Sequence, residues 1–197
     1  MIRLSRRAVL AAVALSAALG SAVAADAPAP KVKFATSEGD FVVEVYPDKA
    51  PKTVENFLQY VKDKHYDGTV FHRVIDNFMV QGGGYDTAYA EKKTRAPVVH
   101  EGREALAKGG AKNVVGTLAM ARTSDPNSAS SQFFINVKDN DFLNPSTQAP
   151  GYTVFGKVAS GMDVVNKIKE LPTGAGGPFP SDVPRTPVII KSASIVS

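Results

Sequence analysis

The sequence predicts an all-β protein, a closed eight-stranded antiparallel β-barrel capped by two α-helices. Most apolar residues beyond Val70 fall in short runs typical of β-strands, and clusters of Gly, Pro, Asn and Asp separate the runs. Only two segments have the apolar spacing of an amphipathic helix. Because closure removes the exposed edges of a sheet, a barrel explains many short strands with few helices.

The first elements after residue 30 are expected to be a hairpin and then a helix. Two short strands, Val32–Thr36 and Phe41–Val45, flank a polar turn at residues 37–40. Pro51 suits the first turn of the following helix. The apolar residues of that helix share one face at positions i, i+3, i+4 and i+7, namely Val54, Phe57, Leu58 and Val61.

Six further strands and a second helix complete the predicted domain, which covers residues 31–197. The helix is expected over Met162–Leu171, between Gly161 and Pro172. The stretch Thr173–Pro187 is rich in Gly and Pro and is expected to be a loop. The six strands are expected at Val70–Val74, Phe78–Gln81, Val114–Ala121, Phe133–Val137, Val154–Val158 and Val188–Val196.

Residues 1–24 have the pattern of a secretory signal peptide. Three arginines precede the apolar run Ala8–Leu19, and residues 22–24 are small, as a signal peptidase requires. The run has 12 residues, fewer than the roughly 20 that span a bilayer, so a permanent anchor is disfavoured. Export by the general or the twin-arginine route is expected, and a Pro- and Ala-rich linker follows at residues 25–30.

Composition excludes several classes of protein. The 197 residues include no cysteine, which removes disulfides, thiolate nucleophiles and Cys-ligated zinc. Without the three leader arginines, 20 of the 23 basic residues remain against 19 acidic ones, so no basic excess favours nucleic acid. The three histidines lack metal-ligand spacing, Gly82–Gly84 lacks a nucleotide-binding fingerprint, and no serine-hydrolase elbow is present. We expect no metal and no cofactor.

Three segments hold the densest group of candidate functional residues. Strand alternation places Arg73 and Ile75 on one face, and it places Met79 and Gln81 on one face of the next strand. Taken singly, the apolar residues would be read as core, and Arg73 as an ion-pair partner of Asp76. The three segments are Phe71–Gly83, Gly116–Arg122 and Ser131–Asn136.

In this order and spacing, the three segments strongly resemble the cyclophilin family of peptidyl-prolyl cis/trans isomerases. The resemblance extends over Lys31–Ser197 and includes Phe155–Val158 and Gly161–Val165. It implies a cofactor-free isomerase that acts on X-Pro bonds of exposed polypeptide segments. Together with the leader, it implies a periplasmic protein that acts on exported proteins as they fold. We expect a monomer.

The resemblance also implies the role of each site residue. Arg73 matches the catalytic arginine, and Gln81 is expected to orient it. The substrate-binding positions are Phe78, Met79, Phe134 and Leu143 in the proline pocket, Ala121 and Arg122 in a segment whose backbone binds substrate, Gln132 at a polar position, and Phe142 and Tyr152 in the pocket wall.

Three positions depart from many eukaryotic members of that family. Phe142 stands in place of Trp, Tyr152 in place of His, and Arg122 in place of Asn. The loss of an indole N–H donor predicts weak binding of cyclosporin. Since the backbone of Arg122 is the part implied in binding, its side chain is expected to point into solvent.

The chemistry of X-Pro rotation agrees with these residue types. Partial double-bond character gives the peptide bond a barrier of about 18–20 kcal/mol. In the twisted transition state the prolyl nitrogen gains a usable lone pair, so a fixed donor such as Arg73 stabilises only that state. Two alternatives are a peptide-binding module or chaperone without turnover, and a small-ligand carrier. The carrier is disfavoured because side chains normally fill an eight-stranded barrel.

Overall fold

The computed structural model describes residues 29–196, which contain ten strands and three α-helices. The helices are α1 (Pro51–Lys62), α2 (Gly102–Ala107) and α3 (Met162–Lys169). The strands are β1 (Lys31–Thr36), β2 (Asp40–Val45), β3 (Thr69–Ile75), β4 (Met79–Asp86), β5 (Thr117–Met120), β6 (Phe133–Asn136), β7 (Val154–Ser160), β8 (Thr173–Gly176), β9 (Phe179–Pro184) and β10 (Ile189–Val196).

Eight of these strands close into an antiparallel barrel in the order β1-β10-β3-β4-β6-β5-β7-β2. The predicted fold class is therefore confirmed. Aromatic rings fill the interior: Phe34 stacks on Phe41 at 5.0 Å between centroids, and Phe133 lies 5.5 Å from Phe34. All three side chains are at most 1% exposed. The packed interior agrees with the argument against a small-ligand carrier.

Helices α1 and α3 cap the barrel, as predicted. Phe57 and Val61 of α1, and Val165 and Ile168 of α3, join the same buried cluster as the barrel interior. Since the interior of a closed barrel is reached only through its open ends, these side chains close those ends. Helix α3 ends at Lys169 rather than at Leu171, within the usual uncertainty of helix boundaries.

A buried carboxylate caps the start of α1 from a distant part of the chain. Ala50 at the N-cap position offers no side-chain acceptor. Instead, Glu101, which is 3% exposed, accepts the N–H groups of Lys52 at 3.1 Å and Thr53 at 2.8 Å, and the Thr53 hydroxyl at 2.7 Å. Because Pro51 has no N–H, these bonds satisfy the free donors of the first helical turn.

Two elements differ from the expectation. Helix α2 was not predicted, because its six residues are too few to show an apolar period. The segment Thr173–Pro187 was expected to be a loop, but β8 and β9 form a hairpin there, which packs beside β3. The prediction of a loop was therefore wrong. The Gly-rich sequence of this segment shows no alternation of apolar and polar residues, which is why no strand was predicted there. The hairpin matters below because Phe179 begins β9.

The predicted leader and most of the linker lie outside the described residues. Within residues 29–196, no helix is both long and apolar enough to cross a bilayer.

Candidate active site

The candidate site lies on the outer face of the barrel, along neighbouring strands. In β6, Phe133 and Ile135 join the interior cluster, whereas Phe134 between them joins a second cluster. That second cluster also contains Met79 of β4 and Ala119 of β5. Strand alternation thus sends every second residue to a separate apolar patch outside the barrel, and β6 is buried on both faces.

Strand register brings the polar and apolar site residues into one row. Arg73 on β3 pairs with Gln81 on β4, and Gln81 pairs with Phe134 on β6. Phe134 in turn pairs with Ala119 on β5. Residues directly opposite each other on paired strands point to the same face. The row therefore places the arginine at one end of the apolar patch.

A cavity of about 300 Å³ opens along this row. Phe142 is the one candidate residue that does not line it: its side chain is 73% exposed and stacks on Phe78 at 5.7 Å. His72, Tyr85 and Phe179 also line the cavity and were not predicted. The candidate residues that do line it are Arg73, Phe78, Met79, Gln81, Ala121, Arg122, Gln132, Phe134, Leu143 and Tyr152.

The floor of the cavity is apolar and rigidly built. Met79, Phe134 and Leu143 are 2%, 4% and 8% exposed. Leu143 ends a short 3-10 turn, and its carbonyl accepts the N–H of Tyr152 at 2.9 Å. The rings of Tyr152 and Phe134 meet edge to face at 5.5 Å. A compact apolar group would fit against this floor.

A buried amide side chain ties two edges of the floor together. Asn140 is 2% exposed, and its Nδ2 donates to the carbonyl of Phe78 at 2.9 Å and to Oδ1 of Asn136 at 2.8 Å. The carbonyl of Asn140 accepts the N–H of Leu143 at 2.9 Å. Asn140 thus holds the backbone of Phe78 and that of Leu143 in place through hydrogen bonds. Asn140 is not among the predicted site residues, and it supports the cavity without lining it.

Arg73 is the exposed one of the two arginines that line the cavity. Its side chain is exposed, and its Cζ lies 5.9 Å from the centroid of the Phe78 ring. Among the described residues it forms no ion pair. The alternative that Asp76 pairs with it is not observed, because Asp76 binds Lys169 at 2.9 Å. The guanidinium is therefore free to meet a substrate.

Gln81 faces Arg73 across the strand pair but donates its amide to Gln132 at 3.1 Å. The structure has no hydrogen bond from Gln81 to Arg73 among the described residues. The two glutamines form a polar bridge between β4 and the segment that leads into β6. That Gln81 orients Arg73 remains a prediction. It requires that a contact between the two side chains form when substrate binds.

The side chain of Arg122 does not point into solvent, so that expectation is corrected. It is half-buried, its Nε and Nη2 donate to the carbonyl of Gly151 at 3.2 and 2.8 Å, and its Cζ lies 4.5 Å from the Tyr152 centroid. A carbonyl and an aromatic face together suit the planar guanidinium fork better than solvent does. Gly151 has φ +66°, and a Cβ there would meet the backbone N of Pro145 at 2.3 Å.

His72 is a neutral wall of the cavity at neutral pH. It is 3% exposed, and burial lowers its pKa to about 4, with the charge of Arg73 acting in the same direction. The cavity therefore combines two guanidinium groups, of which that of Arg122 is bound to the Gly151 carbonyl, with apolar and aromatic walls and amide groups. Among residues 29–196, no group of three His, Asp or Glu side chains could hold a metal ion. This set of groups can bind, orient and polarise an amide without a covalent step.

An apolar slot lies on the outside of a closed barrel, beside an arginine that has no ion-pair partner among residues 29–196, and this arrangement is suited to a protein that binds an extended peptide segment. The family model described as cyclophilin type peptidyl-prolyl cis-trans isomerase/CLD matches residues 31–195. The chain belongs to this family, and the resemblance seen in its motifs is confirmed. It is a peptidyl-prolyl cis-trans isomerase.

Relatives and solved structures agree with this assignment. A peptidyl-prolyl cis-trans isomerase of Acinetobacter baylyi is 53% identical over 166 residues, which cover 84% of this chain and 85% of the relative. Peptidyl-prolyl cis-trans isomerase B of Escherichia coli is 51% identical, with coverage of 83% and 98%. The crystal structure of a Cryptosporidium parvum cyclophilin type isomerase superposes with a TM-score of 0.68 at 26% identity, with coverage of 86% and 98%.

A second crystal structure of the Cryptosporidium protein was determined in the presence of the dipeptide Ala-Pro. It superposes with a TM-score of 0.66 at 27% identity and covers 85% of this chain and 99% of that one.

Proposed function

We propose that the enzyme isomerises X-Pro bonds by stabilising the twisted amide with Arg73, while the apolar floor holds the proline ring. The observation that carries this proposal is the guanidinium of Arg73, which has no ion-pair partner within residues 29–196, at the rim of the slot formed by Phe78, Met79, Phe134 and Leu143. A guanidinium stays charged at every working pH and presents fixed donors. It can therefore donate a hydrogen bond to the prolyl nitrogen in the twisted transition state, when that nitrogen gains a usable lone pair.

The remaining lining residues are proposed to hold the peptide on either side of the proline. Ala121 and Arg122 follow directly after β5. The N–H of Ala121 donates to the carbonyl of Gln132 at 3.0 Å, so the backbone of Arg122 is the part proposed to bind an extended substrate. Gln132 and Gln81 offer amide groups across the slot. Arg122, fixed to Gly151, holds the ring of Tyr152 as a wall. With the peptide fixed, only the carbonyl side of the bond has to rotate.

The energy required is compatible with these contacts. Uncatalysed X-Pro isomerisation takes tens of seconds, so a turnover of about a millisecond needs roughly 10⁴-fold acceleration. At 1.36 kcal/mol per decade this is about 5–6 kcal/mol. A charged hydrogen bond made only in the transition state contributes about 1.5–3 kcal/mol, and positioning can supply the remainder.

The test is the isomerisation rate of a short Ala-Pro peptide with the purified protein and its variants. Arg73→Ala is expected to lower kcat/KM by about 10–150-fold, the range that 1.5–3 kcal/mol corresponds to, and Phe78→Ala to act mainly through weaker peptide binding. Arg95→Ala is the matched control, since Arg95 is an exposed arginine that pairs with Asp63, outside the cavity. Equal rates for wild type and Arg73→Ala, with unchanged circular dichroism, would reject the role of Arg73.

A peptide-binding module or chaperone that uses the same groove without turnover is the rival proposal. A free arginine donor is of little use to a binder, because tight binding of the ground state does not need it. Measurement of peptide affinity beside turnover separates the two. Affinity without acceleration in the folded wild type would favour the rival.

We also propose that the enzyme works in the periplasm, on exported proteins that expose X-Pro bonds while they fold. The support is the leader pattern of residues 1–24 together with the membership of the chain in the isomerase family. Expression of the full chain, fractionation and N-terminal sequencing test this, with a new N-terminus expected near Ala24. Retention of Met1 in the cytoplasmic fraction would contradict it. Sedimentation of the processed chain tests the expected monomer.

A further inference from the structure

The cavity is lined in part by three aromatic side chains that the proposed mechanism does not use. His72 on β3, Tyr85 on β4 and Phe179 on β9 all line the cavity. The rings touch one another: His72 lies 4.7 Å from Tyr85 and 5.2 Å from Phe179, and Tyr85 lies 5.0 Å from Phe179. We call this group the aromatic wall.

The β8–β9 hairpin presents Phe179 to the groove. Phe179 pairs with Gly176 at the start of β9, directly after the turn at Gly177. Gly177 has φ +52°, and a Cβ there would lie 2.5 Å from the Cβ of Tyr89. The ring of Tyr89 in turn supports the edge of Phe179 at 6.3 Å. Tyr89 therefore packs against both the turn of the hairpin and the ring of Phe179, and it holds that ring in place.

The chemistry of the wall differs from that of the proline slot. His72 adds an uncharged aromatic ring, because it is buried and its pKa lies near 4. Phe179 and Tyr85 are only half-buried, so parts of their rings remain accessible in the groove. The planes of the Tyr85 and Phe179 rings lie at 89° to each other, so the two rings form a right-angled aromatic corner. Such a corner favours another aromatic ring by edge-to-face contact over a small or charged group.

The wall also lies close enough to the reacting bond to matter. Arg73 follows His72 in β3, and both line the same cavity as Phe78 and Met79. Because the wall and the proline slot line one cavity of about 300 Å³, and one residue of extended chain spans about 3.3 Å, the positions to consider are those within two residues of the proline.

We propose that His72, Tyr85 and Phe179 form a second side-chain subsite, which selects an aromatic residue within two positions of the substrate proline. This proposal rests on the proposed function of the groove. Its rival is that the trio only anchors the hairpin to β3. An anchor would affect stability, whereas a subsite affects the choice among peptides.

The test uses Ala-Pro host peptides that carry Phe or Ala at each of the four positions within two residues of the proline. For at least one position, wild type is expected to show about 2–10-fold higher kcat/KM for Phe, the range that an aromatic contact supplies. Phe179→Ala is expected to bring that ratio close to one, and Phe179→Tyr to retain it. Ile195→Ala is the control, since Ile195 is an exposed apolar residue of β10 outside the cavity.

Two results would overturn the subsite: no preference in wild type at any of the four positions, or a preference that persists in a folded Phe179→Ala variant. Failure of the proposed function is distinguishable, because wild type would then fail to accelerate any of the peptides. In that case the affinities of the same peptides decide the question. A preference for Phe that Phe179→Ala abolishes supports the subsite, and equal affinities reject it.

Discussion

Acidification from pH 7.5 to 5.0 is expected to lower the free energy of unfolding by about 2 kcal/mol through His72. Burial depresses the pKa of His72 from about 6.5 in the unfolded chain to about 4 in the folded protein. The unfolded state therefore binds more protons in this window, and stability falls as the pH falls. Each pKa unit corresponds to 1.36 kcal/mol, and about one and a half units of the window lie between 6.5 and 5.0.

Urea unfolding of wild type, His72→Gln and His72→Phe at both pH values measures this. Both variants lack the titrating group, so their stability should fall by about 2 kcal/mol less than that of wild type between the two pH values. Burial also lowers the pKa of His65 and of His100, so a smaller decline should remain in both variants. His65→Gln is the matched control. An equal decline in wild type and both His72 variants would refute the assignment.

Three further predictions concern the supports of the site and its wall. Glu101→Ala removes the carboxylate that caps α1 and should cost about 1.5–3 kcal/mol in urea unfolding, whereas Glu104→Ala on the exposed side of α2 should change little; equal effects would contradict the cap. Gly151→Ala should cost at least about 2 kcal/mol and lower kcat/KM, because φ +66° and the crowded backbone disfavour a Cβ. Phe142→Trp restores an indole donor at the exposed rim and should bind cyclosporin about tenfold more tightly than wild type by titration calorimetry; sub-micromolar binding by wild type would count against weak binding by the native Phe.

The barrel could be predicted from sequence because its strands carry local signals. The segment Phe133–Asn136 is an unbroken buried run, and the pattern around Pro51 marks the start of α1. Short elements without a period escape this approach. Helix α2 has only six residues, and the sequence of the hairpin that contains Phe179 is rich in Gly and Pro, which do not predict strands.

The site was located by its motifs rather than by any property of single residues. Arg73 and Phe134 lie far apart in sequence, and only the register through Gln81 brings them into one row. The position of the Arg122 side chain was mispredicted, because its acceptor is a carbonyl 29 residues away. Contacts of that kind depend on tertiary packing, which no local pattern encodes.

The alternation within β6 has a consequence for how such an enzyme can change. Phe133 and Ile135 hold the barrel interior, while Phe134 between them faces the groove. Because the two apolar clusters share no member, a substitution at a groove-facing position removes no side chain from the barrel interior. New substrate preferences can therefore arise by mutation one position at a time, without a compensating change in the barrel.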